Sequence, residues 1–203
     1  MHNMAKHTGL LVLLIFLVGC GSSPSIEHYF LTAKPAEPPQ GDTPSLGVGP
    51  IQIPEYLNRS ALVYSRQGNK LKVSSTAHWA EPLDDGLQRV LSLNIGALLG
   101  TQNVRMFPWD PHRAPDYGIK ITLLHLDAND QEAHLVAESL IYRPGNSATV
   151  RRRTNRVGLP LTNGPLSPED IAPAYSELLY RLSEIIANDI KADLISTRSA
   201  QGS

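Results

Sequence analysis

Asp116 to Arg143 reads DYGIKITLLHLDANDQEAHLVAESLIYR, and the period of this stretch decides the fold. Leu135, Ala137, Ser139 and Ile141 alternate with His134, Val136, Glu138 and Leu140. Successive side chains of a strand point to opposite faces, so the first set makes a small apolar face and the second a mixed one. Asp116 to Asp127 is rich in Ile and Leu and meets Glu132 to Arg143 across a polar Asn129-Asp130-Gln131 turn. The pair forms the longest β-hairpin of the chain.

Working downstream, a strand from Ala148 to about Val157 pairs back across Pro144-Gly145-Asn146. Ser167-Pro168-Glu169-Asp170 then opens a long helix, with Ser167 as N-cap and Pro168 at the first helical position. Its apolar stripe is Ile171, Tyr175, Leu178, Leu179, Leu182, Ile185, Ile186 and Ile190. Upstream of the hairpin, Gln102 to Phe107 reads as a short strand. Before it the period is 3.6: Leu83, Leu87, Val90, Leu91, Ile95 and Leu98 share one helical face. Pro82, Asp84 and Asp85 suit the start of that helix, and Gly100 its end. Ala61–Arg66 and Lys70–Ser74 flank a Gln67-Gly68-Asn69 turn, and Leu46 to Ile53 is a strand that stops at Pro54. Ala33 to Ser45, with four prolines, is a loop, and Ile26 to Thr32 is the first strand. Two amphipathic helices and about seven strands predict an α+β fold, a mostly antiparallel sheet with both helices packed on one side.

The chain opens with Lys6 and an apolar run from Leu10 to Val18, which is signal-peptide architecture and too short to span a bilayer. Leu17-Val18-Gly19-Cys20 resembles the lipobox of bacterial lipoproteins. That resemblance implies cleavage before Cys20 and acylation of its thiol, a tether to the membrane without a crossing. Gly21 stands where the enterobacterial sorting rule places Asp for inner-membrane retention, so the expected location is the periplasmic face of the outer membrane. The expected boundaries are a signal peptide over 1–19, a lipidated tether over 20–25, one domain over 26–197 and a disordered tail over 198–203. Cys20 is the only cysteine, so no disulfide supports the domain even in an oxidising compartment.

Lys and Arg number 18 against 19 Asp and Glu, a balance that argues against nucleic-acid binding. A hydrophobic content of 41% argues against disorder. Arg151, Arg152, Arg153 and Arg156 form a basic run, but on a strand they divide between two faces. Such charges suit lipid headgroups or an acidic partner, or guard a sheet edge against pairing. Gly47-Val48-Gly49 lacks the third glycine and following helix of a dinucleotide site, and neither a phosphate-binding loop nor a G-x-S-x-G elbow occurs. Asp127, Asn129, Gln131 and Glu138 fit four positions of a calcium loop, but Glu132 stands where that loop needs glycine. His125 and His134 could meet across the hairpin as metal ligands, yet no third ligand lies close in sequence, so they read as exposed histidines. The sequence predicts no catalytic residues, no cofactor and no metal.

Val48-Gly49-Pro50-Ile51-Gln52-Ile53-Pro54-Glu55-Tyr56-Leu57-Asn58-Arg59 and Trp79-Ala80-Glu81-Pro82-Leu83 are two further motifs, with Tyr29-Phe30-Leu31 before them. Together they resemble the ABC-type transport auxiliary lipoproteins, the group related to PqiC, also called YmbA. The resemblance implies a non-catalytic accessory in lipid movement between the membranes of a Gram-negative envelope. The partners it implies are an MCE-domain protein like PqiB and, through it, an inner-membrane component like PqiA or an ABC permease. A homo-oligomer would match the ring symmetry of an MCE protein. Tyr56, Leu57, Arg59, Trp79 and Glu81 are the candidate interface residues, since Tyr, Trp and Arg are common anchors. The competing reading makes Tyr56, Leu57 and Trp79 core packing and Glu81-Pro82 the lead into the helix. A rival function is a lipid carrier with an acyl-chain cavity between sheet and helices. Others are a periplasmic hydrolase whose acid, base and nucleophile converge from scattered positions, and a structural part of another envelope assembly machine.

Overall fold

A computed structural model describes residues 25–67, 69–161 and 165–201. Cys20, the signal segment, most of the tether and Gly68 therefore lie outside the described residues. In chain order the elements are β1 (Glu27–Tyr29), β2 (Leu46–Gln52), β3 (Ala61–Gln67), β4 (Lys70–Trp79), α1 (Leu83–Leu99), β5 (Val104–Met106), β6 (Tyr117–Ala128), β7 (Glu132–Arg143), β8 (Ala148–Pro160) and α2 (Pro168–Gln201). The strands form a three-stranded sheet, β1-β4-β3, and a five-stranded sheet, β5-β2-β6-β7-β8.

The β6–β7 hairpin forms as its alternation predicts, and Ala133, Leu135, Ala137, Ser139 and Ile141 are the buried face of β7. The fold is α+β as expected, and its long ladders are antiparallel, but the sheets are mixed rather than purely antiparallel. β2 runs parallel to both β5 and β6, and β1 runs parallel to β4. The cause is connection length: hairpin turns join β3 to β4 and β6 to β7 to β8, whereas the small sheet and α1 intervene between β2 and its two neighbours. Some ends also move. β1 is shorter than the expected strand, β4 continues past Ser74 to Trp79, β8 continues to Pro160, and α2 stays helical to Gln201, past the expected tail boundary at 198.

Both helices lie on one face of the five-stranded sheet, α1 over β2 and β5, α2 over β7 and β8, and they pack on each other. Leu87, Leu91 and Ile95 of α1, Leu178, Leu182 and Ile186 of α2, and Ile119 and Ile121 of β6 fill the layer between. α1 ends as its sequence suggests: Gly100 has a φ of 68° and its N–H caps Ala97 and Gly96 carbonyls. At the start of α2, Ser167 donates both its backbone N–H and its hydroxyl to the Asp170 carboxylate, at 3.0 and 2.7 Å. Arg151 and Arg153 turn to Asp189 of α2 at 3.8 and 3.4 Å, and Arg152 turns the other way to Glu138 at 3.2 Å. These exposed pairs each contribute under ~1 kcal/mol. The basic run is split between two faces, as strand geometry requires.

Candidate functional site

Beyond β2 the chain makes a single 3-10 turn, Glu55–Leu57, with the Leu57 N–H donated to the Pro54 carbonyl at 2.9 Å. The turn drives Leu57 into the core, where it is 3% exposed. It also brings Tyr56 to β6. There the Tyr56 hydroxyl accepts the Leu126 N–H at 3.2 Å and donates to the Leu126 carbonyl at 3.3 Å. Pairing of β2 with β6 stops at Thr122, so this hydroxyl supplies partners to an edge that no strand covers. Removing only the hydroxyl, Tyr56→Phe, is expected to cost about 1–2 kcal/mol by leaving the Leu126 groups unpaired. Urea denaturation checks it; an unchanged midpoint would mean the hydroxyl is not a structural partner.

Trp79 ends β4, its N–H donated to the Ser60 carbonyl at 2.6 Å and its ring stacked on Tyr175 with centroids 6.2 Å apart. Glu81 pairs with Arg89, whose guanidinium also donates to the Leu31 carbonyl at 2.9 Å. The two sequence motifs thus meet. Asn58, Arg59 and Ser60 on one side and Trp79 to Leu83 on the other line one open cleft of about 340 Å³. Arg59 is exposed on its rim. Leu57 and Trp79 are not exposed anchors but buried packing residues, because the turn and the strand end that carry them point inward. Tyr56 and Glu81 are half-buried and already engaged in bonds within the chain.

A larger cleft, about 640 Å³, is lined by Tyr56 together with Ser65, His125, Asp127, Asp130 and His134, among others. Its floor is made by a β-bulge. The register of β6 on β7 slips between Leu123 and His125, so Leu124 is the additional residue. Before the bulge Ile119, Ile121 and Leu123 face the helices; after it Leu126 and Ala128 do. His125 and Asp127 are thereby turned to the opposite face, where Asp127 sits directly across from His134. The two imidazoles stack with centroids 4.6 Å apart. Ligating atoms of His125, Asp127 and His134 all lie within 4.8 Å of one another. Asp127 is 4% exposed and accepts the Ser65 N–H at 2.8 Å and the Ser65 hydroxyl. Nδ1 of His125 is 3.5 Å from the Tyr56 hydroxyl. Burial first, then the neighbouring His134, hold the His125 imidazole below its ordinary pKa, while Asp127 pulls the other way. Asn129 closes the turn by accepting the Gln131 and Glu132 N–H groups, which leaves it no part in a calcium loop. A strict alternation from Ile119 would have buried His125 and Asp127 together among the core residues, so alternation along β6 alone does not place them on the face of His134.

A family model described as ABC-type transport auxiliary lipoprotein component matches residues 29–187. No curated protein matches the chain in sequence. Among solved structures, a crystal structure of an uncharacterized protein is 18% identical, with a TM-score of 0.62 over 82% of this chain and 99% of that one. Protein XCC0632 from Xanthomonas campestris, of the DUF330 family, is 16% identical with a TM-score of 0.62, covering 89% of this chain and 97% of that one. At such identities the likeness concerns the fold alone.

Proposed function

Since the chain belongs to the ABC-type transport auxiliary lipoprotein component family, we propose that it is a non-catalytic docking component of an MCE-type lipid-transport system. In this reading it is anchored by Cys20 to the periplasmic face of the outer membrane. The family match over residues 29–187 carries the accessory role. The lipobox at Leu17 to Cys20, and Gly21 after it, support the anchor and its membrane. The cleft between the two motifs supports a partner surface, with Arg59 as its exposed charged contact, Trp79 and Glu81 in its lining, and Tyr56 and Leu57 holding the turn that leads to Arg59. The layer between helices and sheet is filled by fully buried Leu and Ile side chains, and the apolar groove of about 330 Å³ beside α1 and β5 is open to solvent at Leu93 and Met106, which favours docking over carriage in an enclosed acyl-chain cavity.

The test is a pull-down of the full-length chain in detergent, with mass spectrometry of proteins and lipids. Recovery of an MCE-domain protein, reduced by Arg59→Glu, is the expected result. Stoichiometric lipid without such a protein would sink the docking reading in favour of a carrier. Cys20→Ala is expected to move the chain from the membrane fraction to the soluble fraction. Each buried CH₂ of an acyl chain contributes about 0.8 kcal/mol, and among the described residues no helix is long and apolar enough to cross a membrane in its place. Retention of the variant in membranes would remove the lipid anchor from the reading.

A further inference from the structure

We propose that His125, Asp127 and His134 form a binding site for one divalent transition-metal ion of the Zn²⁺ type. The geometry is three-fold. One imidazole comes from each strand of the β6–β7 hairpin, the carboxylate lies across from His134, and all three ligating atoms fall within 4.8 Å. Ligands of a tetrahedral Zn²⁺ at about 2.0–2.2 Å are roughly 3.3–3.5 Å apart, so small side-chain rotations close the set. Two imidazoles with one carboxylate suit Zn²⁺ and its neighbours, whereas Mg²⁺ and Ca²⁺ prefer oxygen alone.

Two observations beyond proximity point to a ligand. Among the described residues, Nδ1 of His134 is buried without a hydrogen-bond partner, a position that costs free energy unless something binds there. Asp127 is meanwhile held from behind by the Ser65 N–H and hydroxyl, and the Tyr56 hydroxyl lies 3.5 Å from Nδ1 of His125, with a lone pair left to accept its N–H. Such outer hydrogen bonds are what fix the orientation of metal ligands. Each Asp127 oxygen keeps a further lone pair after those bonds are made. The cleft is open, so three protein ligands leave a coordination position facing solvent. The bulge at Leu124 is what assembles the set, and bulges commonly re-aim side chains in this way.

The experiment is calorimetric titration of ZnCl₂ into the full-length chain in detergent. One equivalent is expected to bind, with a thermal midpoint raised by about 5 °C at a hundredfold excess over Kd. His125→Asn and His134→Asn are each expected to weaken binding at least about tenfold, and MgCl₂ is expected to do nothing. A second cluster, His28 and His78 with centroids 6.1 Å apart, serves as the control, and His28→Asn with His78→Asn should leave binding unchanged. Protection from diethyl pyrocarbonate reads the unaltered chain, so the answer does not depend on variants that fail to fold. Zn²⁺ should shield His125 and His134 and leave His28 and His78 reactive. Absence of Zn²⁺ uptake, uptake that survives in the His125 and His134 variants, or protection confined to other histidines would each overturn the site.

Discussion

Trp79→Ala is expected to destabilise the fold by about 3–5 kcal/mol, the range for removing a large buried aromatic side chain. Trp79 is 7% exposed and stacks at an interplanar angle of 28° on Tyr175, which is itself fully buried in α2. The substitution removes the ring contact that joins the end of β4 to the second helix. Its backbone N–H to Ser60 survives, so the loss reads packing rather than hydrogen bonding. Arg59→Ala, on the exposed rim of the same cleft, is expected to stay within about 0.5 kcal/mol of the parent. Urea denaturation of both variants separates the two readings of this motif. A change under about 1 kcal/mol for Trp79→Ala, with partner capture lost, would make Trp79 a contact residue after all.

Gly49→Val is expected to cost about 2–5 kcal/mol, through backbone strain and overpacking together. Gly49 has a φ of 112°, a conformation L residues rarely adopt. A Cβ placed on it would meet Cβ of Phe107 at 2.7 Å and Nε2 of Gln88 at 2.8 Å. That glutamine is not free to retreat, because it donates to the Val48 carbonyl at 2.8 Å and the Phe107 carbonyl at 3.1 Å, tying α1 to β2 and to the segment after β5. The register of β2 on β6 slips at this point, so the Gly-Pro pair of the first motif marks a structural bend. Gly145→Ala, at a position with nothing within 4 Å, is the matched control and should be near neutral. Equal thermal midpoints for the two variants would contradict this account.

Periodicity alone carried the hairpin, both helices and their faces, because burial repeats every 2 residues in β7 and every 3.6 in α1 and α2. Gly100 and Ser167 likewise show where helices end and begin, since capping is local chemistry. Strand direction was not legible. β2 and β1 run parallel to partners far along the chain, and no local pattern encodes which distant edge a strand will join. The histidine cluster was half legible: His125 and His134 stand out, and Asp127 shares the strand face of His125, but the one-residue slip at Leu124 decides that this face turns away from the helices. The mark of that slip in the sequence is the adjacent Leu123-Leu124 pair, where the apolar alternation changes phase. Leu57 and Trp79 show a third kind of limit, since an aromatic or aliphatic residue in a turn looks the same in sequence whether it turns in or out. Cys20 is the reverse case, carried by sequence and lying outside the described residues.

β1 has a mechanical consequence. Any pull arriving along the N-terminal segment reaches the domain first at this strand, which holds to β4 by three residue pairs, Glu27 with Ala77, His28 with His78 and Tyr29 with Trp79. Tension directed back along the strand loads the three pairs together, whereas tension directed away from the sheet opens them singly from Glu27. In both directions the next fixed point is Leu31, buried in the core and with its carbonyl held by Arg89. Among the described residues, the three pairs of β1 are thus the first contacts such a pull loads, and the core behind Leu31 is held by contacts that do not depend on them.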